Sequence, residues 1–443
     1  MMVLADLIRL RTSSFVEGLR SSLFFVPMIG VLVAVGLGTI ALGVDRRFST
    51  ETSDLSFGLT STVESARALL STVAGATISF AGIAFSVSLL TVQQASSQYS
   101  PRVVHALFRD PFNRRVMALV VGTFTYCVVV LRSVRTALEQ GGSPVIPNLS
   151  VAIGVLLGIV TILAVVAFID HSTHDVDISE ILAKVTGEAV AQARREWSDP
   201  GAGDRGPERA VVGGGEPVCS ILFERSGWVQ RVDAEALHRC VPEGTTMRVE
   251  AHPGHYAVPG ASVCTLSAIP DDLDRVSRQV RDAVTVGATR TMQQDVSYGL
   301  RQLEDVALKA LSPGINDPTT AQDAIFHLVA VLVELLGREP PARVRSTSGS
   351  TVILSRQPTH ASLVQLSFDE VRRAASTQPT VCIYLLVALD LLRRALGPDD
   401  SGEVEAAIAD QTRLVLAGCE AAGHLPSDLQ LVRIAYDERF AVV

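Results

Sequence analysis

Four runs of apolar residues in the first 170 positions constrain this chain more than any other feature of it. Crossing the ~30 Å hydrocarbon layer takes a helix of about 20 apolar residues at about 1.5 Å each. Residues 23–44 carry no charge, and 68–102 carry none until the final arginine. Residues 116–131 form a shorter run with polar flanks, and 151–169 complete the set. The first run is long, has no small-residue cleavage site and is followed by three more, so it is expected to be a span kept in the mature protein rather than a secretory signal. None of the four holds an Asp, Glu, Lys, Arg or His deep within it. Such residues mark proton relays and coupled-ion sites, so an energised pump is not expected.

Arginine in short loops sets orientation. Arg9, Arg11, Arg20, Arg102, Arg109, Arg114 and Arg115 stand on one side, against Arg46, Arg47, Arg67, Arg132 and Arg135 on the other. The bias is modest and places the N-terminus in the cytoplasm. Four spans then return residues 170–443 to that side. Lysine occurs only at Lys184 and Lys309, a bias of GC-rich bacterial coding, so the expected location is a bacterial inner membrane.

Charge divides unevenly along the chain. Residues 1–169 sum to +4 and the remainder to −12. An acidic soluble half with no basic, aromatic-interleaved patch is unsuited to a phosphate backbone, so no nucleic-acid partner is expected. The six cysteines form no Cys-x-x-Cys pair and signal no zinc. The expected partners are the lipid bilayer and further copies of the chain.

The second span is the most informative. Thr72, Ser79, Ser86 and Gln93 recur every seven residues, with Gly75 and Gly82 on the adjacent line. The result is a small, polar face opposite Ile78, Phe80, Ile83, Phe85 and Leu90. Small residues let helix backbones approach where water cannot drive association. The same face can line a water-filled path, in which case its hydroxyls need water. Both readings stand on sequence.

After the fourth span, Asp170 with His174 and His171 with Asp175 fall at i,i+4, but this spacing is no recognised zinc signature and no metal site is assigned. A helical pattern over 178–197 leads into a Gly/Pro-rich linker, 198–217. Strands are predicted at 218–223, 228–232, 246–251 and 262–268, a small β-rich module over 218–270. Its 253–260 stretch resembles biotinyl-lipoyl-type hairpins but lacks their modified lysine, so no carrier role follows. From 271 to 443 the pattern is mainly helical, with one strand at 351–354. Within it, helix 296–311 stops at Ser312-Pro313-Gly314, and Asn316 or Asp317 caps the next. Asp295, Asn316, Asp317, Thr319 and Thr320 form a polar corner that could serve as ligands, although each also suits a cap or turn.

Arg290-Thr291-Met292-Gln293-Gln294-Asp295, the stretch LKALSPGINDPTTA over 308–321 and TVQQASSQYSPRV at the end of the second span resemble a family of predicted bacterial membrane proteins known as domain of unknown function 2254. The similarity covers almost the whole chain. It implies a membrane location and brings no activity, substrate or catalytic residue. The chain has no nucleophile elbow, Walker loop, Rossmann fingerprint or His-Glu-x-x-His stretch, so no catalytic residue, cofactor or metal is assigned. The fold class expected is a four-helix transmembrane domain over 23–169, after a cytoplasmic segment 1–22, joined through a juxtamembrane helix and linker over 170–217 to a cytoplasmic α+β domain. The function expected is a passive channel-like or sensing protein with a regulatory domain. Its rivals are a membrane-anchored scaffold or signalling protein and a membrane-tethered hydrolase using the polar corner.

Overall fold

The computed structural model describes residues 25–48, 62–98, 111–134, 147–174, 177–199, 216–342, 344–347, 349–354, 357–397 and 402–440. Arg9, Arg11, Arg20, Arg102, Arg109, Arg135 and Asp175 lie outside the described residues, as does most of the 198–217 linker. The chain divides into two units, Met1–Ser97 with Pro101–Asp177, and Gln98–Ser100 with Ile178–Val443.

Unit one contains four long helices, α1 (Phe25–Phe48), α2 (Val63–Gln98), α3 (Pro111–Leu131) and α4 (Asn148–His174). They pack through missing side-chain volume. A Cβ on Gly30 of α1 would stand 2.6 Å from the Ala118 carbonyl of α3, and one on Gly158 of α4 would stand 2.9 Å from Val73 of α2. Polar groups that cannot reach water are tied across helices. The α1 residue Asp45 accepts the Leu149 and Ser150 amides at 3.1 and 2.9 Å and so caps α4. Tyr126 donates to the Ser150 carbonyl at 3.0 Å, and the Thr123 and Thr161 hydroxyls pair at 2.9 Å. The outside is apolar, with Leu32, Ile40, Phe85 and Leu163 each more than three-fifths exposed. Such a surface suits lipid and not water.

Unit two opens with α5 (Ile178–Glu196). The β-rich part follows as β1 (Cys219–Leu222), β2 (Gly227–Val232), α6 (Ala234–Cys240), β3 (Thr246–Val249), β4 (Tyr256–Ala257), β5 (Ser262–Leu266), α7 (Leu273–Asp282) and β6 (Val284–Gly287). Then come α8 (Val296–Ala310), α9 (Pro318–Leu336), β7 (Val344–Thr347), β8 (Ser350–Leu354), α10 (His360–Ala375), α11 (Pro379–Ala395), α12 (Gly402–Ala421) and α13 (Pro426–Phe440). Five strands form one sheet in the order β1-β5-β3-β8-β7, and β4-β2-β6 form a second. The β3–β8 pairing is parallel, Thr246 with Thr351 through Val249 with Leu354, so the larger sheet draws strands from either side of α8 and α9. Ile221, Met247, Val263 and Leu266 are buried in its core.

Among the described residues five helices, not four, are long and apolar enough to cross a membrane, the fifth being Pro318–Leu336. The reason for the excess is its place in unit two. Ala321, Ile325, Leu328, Leu332 and Leu335 of α9 are fully buried at helical spacing, and α9 packs against α5, α8 and α11. Its charged groups are matched locally, Glu334 taking two bonds from Arg194 of α5 at 3.0 and 2.9 Å.

Candidate functional site

The small face of α2 packs against no other helix among the described residues. Thr72, Gly75, Ser79, Gly82, Ser86 and Gln93 are all exposed, and a Cβ on Gly75 or Gly82 would meet nothing within 4 Å. The intrachain contacts come from another side of the helix, where Ala66, Leu70, Ala74, Thr77 and Ala84 are buried. From Thr72 to Gln93 the face runs about 32 Å, the thickness of the hydrocarbon layer. Its serines do not require water. Ser79 donates to the Gly75 carbonyl at 3.1 Å and Ser86 to that of Gly82 at 2.9 Å, satisfying both hydroxyls within the helix. The glycines that do admit a neighbouring helix in the same chain are others, among them Gly154 and Gly158 of α4, four residues apart. That spacing is the sequence signal that would have found them.

The polar corner separates into two places. Asp317 caps α9, accepting the Thr320 amide at 3.1 Å and the Thr320 hydroxyl at 2.7 Å, and these bonds hold its carboxyl below the usual range. Asn316 stands beside it with φ +50, a left-handed conformation that Asn tolerates. Its Oδ1 accepts from Gln378, the residue before α11, at 3.0 Å. Thr319 is exposed. Asp295 lies at the other end of α8, about 22 Å away along 15 helical residues. The five residues therefore do not gather into one site, because a rigid helix holds Asp295 apart from the rest.

Asp295 instead forms a wall of a cleft of about 630 Å³ in unit two, together with Arg290, Gln294, Arg231, His252 and Gly254. Its carboxylate is almost wholly buried and accepts from Arg290 Nε at 2.8 Å, so although it stands at the N-terminus of α8 its side chain does not cap the helix. The Arg290 guanidinium lies over the rings of Tyr298 and Trp228, at 5.2 and 5.8 Å from their centres, which fixes its plane. Gly254 has φ +81, and a Cβ there would run into the Asp295 carboxylate, so only glycine permits this approach. The His252 and His255 rings stack across this turn at 5.0 Å. Gln294 is also left-handed, with φ +56, and its side chain accepts the Val232 amide at 2.9 Å. Non-glycine residues held in this region cost roughly 1–3 kcal/mol and cluster at functional sites. On the other wall, burial pushes the Glu196 carboxyl up.

The cleft can hold a small polar ligand against fixed hydrogen-bonding groups, but it offers no assembled catalytic set. No group of three His, Cys, Asp or Glu among the described residues is placed to hold a metal ion. At the juxtamembrane end, His171 packs edge-on against Phe112 at 4.7 Å, while the side chain of His174 falls outside the described residues. Sequence reasoning named Asp295 and noticed the 290–295 stretch, but it missed His252, Arg231 and Gly254 as its neighbours. For His252 and Gly254 the signal was the His252-Pro253-Gly254-His255 turn.

The model of a family described as "Predicted membrane protein (DUF2254)" matches residues 20–390. "Uncharacterized protein Rv1290c" of Mycobacterium tuberculosis (strain ATCC 25618 / H37Rv) is 30% identical over 387 residues, covering 86% of this chain and 73% of its own length. "Uncharacterized protein Mb1321c" of Mycobacterium bovis matches with the same identity and coverage. No solved structure matches.

Proposed function

This chain belongs to the DUF2254 family of predicted membrane proteins, and from that premise we propose that it is a passive, channel-like homo-oligomer regulated by unit two. In this reading α1 to α4 cross a bacterial inner membrane, α9 stays in the cytoplasmic core, and both termini are cytoplasmic. The observation that carries it is the face of α2, uncharged, unpartnered among the described residues and as long as the hydrocarbon layer is thick. Copies of α2 around an axis would give Thr72, Ser79, Ser86 and Gln93 a common water-filled lining. The cleft at Asp295 and Arg290 supplies a sensing pocket for a small polar ligand.

A second reading, a scaffold whose α2 faces pack as a dry seam between copies, is favoured by the serine hydroxyls already being satisfied within the helix. Reconstitution in liposomes separates the two. Ser79→Leu protein that stays oligomeric but loses ion flux is the expected result. Dissociation of the variant selects the seam, and wild-type protein silent under both voltage and membrane tension removes conduction. For topology, a cysteine introduced at Ser143 should react with an impermeant reagent in intact cells and one at Ser198 should not. The opposite pattern would overturn the orientation.

A further inference from the structure

A second buried carboxylate in unit two has no share in the cleft. Glu304, on α8, is fully buried against α10, with 0% of its side chain exposed. Its nearest cation is Arg301, one turn earlier on the same helix, whose Nη1 stands 2.8 Å from Glu304 Oε2. The same nitrogen donates to Oε1 of Glu370 on α10 at 2.9 Å. Neither oxygen of Glu304 accepts a hydrogen bond from any described residue. A charged carboxylate that accepts no hydrogen bond in a protein interior carries a large desolvation penalty, which the Arg301 charge offsets in part and which holding a proton removes.

Of the surrounding charges, Arg301 opposes that penalty most and the neighbouring acids add to it. On α8 the charged groups acting on Glu304 are Arg301 and Asp305, and on α10 they are Glu370 and Asp369. No group of α5 or α9, which also pack on α8, enters among them. The Asp369 charge is itself shared, taking a bond from Gln411 of α12 at 2.7 Å and lying 3.5 Å from Arg372. Three other carboxylates therefore face Glu304 and one guanidinium stands beside it. Burial, then the neighbouring acids, push its carboxyl up to about 8, Arg301 alone opposing.

We propose that Glu304 is a proton-operated latch between α8 and α10, closed while the carboxyl holds its proton and loosened when the proton leaves. On release the proton passes to solvent and the seam gains a buried negative charge facing Glu370 and Asp369. Arg301 offsets that charge in part, and separation of the helices or entry of water relieves the rest. The N-terminus of α8 carries Asp295, so loosening α8 against α10 alters a wall of the cleft and gives unit two a response to pH.

The sign of the effect is fixed. A carboxyl whose folded pKa lies above its unfolded value favours the folded state most below the unfolded value, and that contribution is lost as pH rises through the folded one. The test uses the full chain in lipid nanodiscs between about pH 6 and pH 9, with amide exchange along α8 and α10 corrected for intrinsic rate, alongside the thermal midpoint of unit two. In wild-type protein, protection along both helices should fall by up to about tenfold per pH unit, levelling above about pH 8. Glu304→Gln, which keeps the shape of the protonated acid, should abolish the transition. Glu370→Gln removes one repelling charge beside Glu304, so its transition should move to lower pH. A flat wild-type profile, a transition surviving in Glu304→Gln, or an unmoved one in Glu370→Gln would each overturn the latch. The last variant carries the test if Glu304→Gln does not fold.

Discussion

Helices α2 and α9 make an instructive pair, since both are long and apolar enough to cross a membrane yet they spend their apolar surface differently. Only 17% of the apolar window of α2 is buried inside the protein, against half of that of α9. Leu90 of α2 is 63% exposed, whereas Leu328 of α9 is fully enclosed by neighbouring helices of unit two. Apolar length alone does not decide whether a helix meets lipid or protein. Contacts decide it, because a helix with partners on several sides gains in its own fold the burial that a lone one finds only in a bilayer.

Truncation should break this symmetry most strongly. Leu328→Ala opens a cavity in a closed core and is expected to cost about 2–5 kcal/mol, read as a lowered unfolding midpoint of unit two. Leu90→Ala should change the midpoint of unit one by less than about 0.5 kcal/mol, because its neighbour on that face is lipid. Equal losses at the two positions would mean that α2 is enclosed by protein after all.

A smaller contrast lies within unit one. Gly30→Ala places a methyl against the Ala118 carbonyl and should cost about 1–3 kcal/mol by forcing α1 from α3. A methyl at Gly82 meets none of the described residues within 4 Å, so for Gly82→Ala a single copy should be indifferent. If the α2 face is a seam between copies, the same change lowers the oligomer's dissociation temperature in detergent while the fold of each chain persists. That outcome would sharpen the comparison by showing what covers α2.

The smallest expected effect is at the start of α9. Asp317→Ala removes the carboxylate that accepts from Thr320 and should lower the stability of unit two by about 1 kcal/mol, measured by thermal unfolding. Its carboxyl is held down by those bonds, so the contribution is present above the ordinary carboxylate range and lost as pH falls below it. A much larger loss would mean that the cap also holds Asn316 and Gln378 in register.

The local elements were legible where local physics sets them. Ser312-Pro313-Gly314 ends one helix and Asp317-Pro318 starts the next, and both hold because caps and turns need only neighbouring residues. Strand β6 was not legible. Val284-Thr285-Val286-Gly287 follows a helix within a mainly helical stretch and becomes a strand by pairing with β2, 52 residues earlier at Val232–Val284. The polar corner failed for a related reason. Asp295 and Asp317 look close when read as ends of one hairpin, but α8 between them is straight and rigid, and the partners Asp295 does meet come from the turn at His252–His255.

By itself the sequence determined that this protein lives with lipid, that its first four apolar runs are helices and that an α+β region follows, because hydrophobic length and period are properties of the chain alone. Tertiary structure decided that the fifth apolar helix is a core element, that Arg290 meets Asp295 under a glycine 36 residues before Arg290, and that Glu304 is buried without a hydrogen-bond donor among the described residues. Each of those depends on which distant side chains share a small volume, and burial there changes what a charge costs.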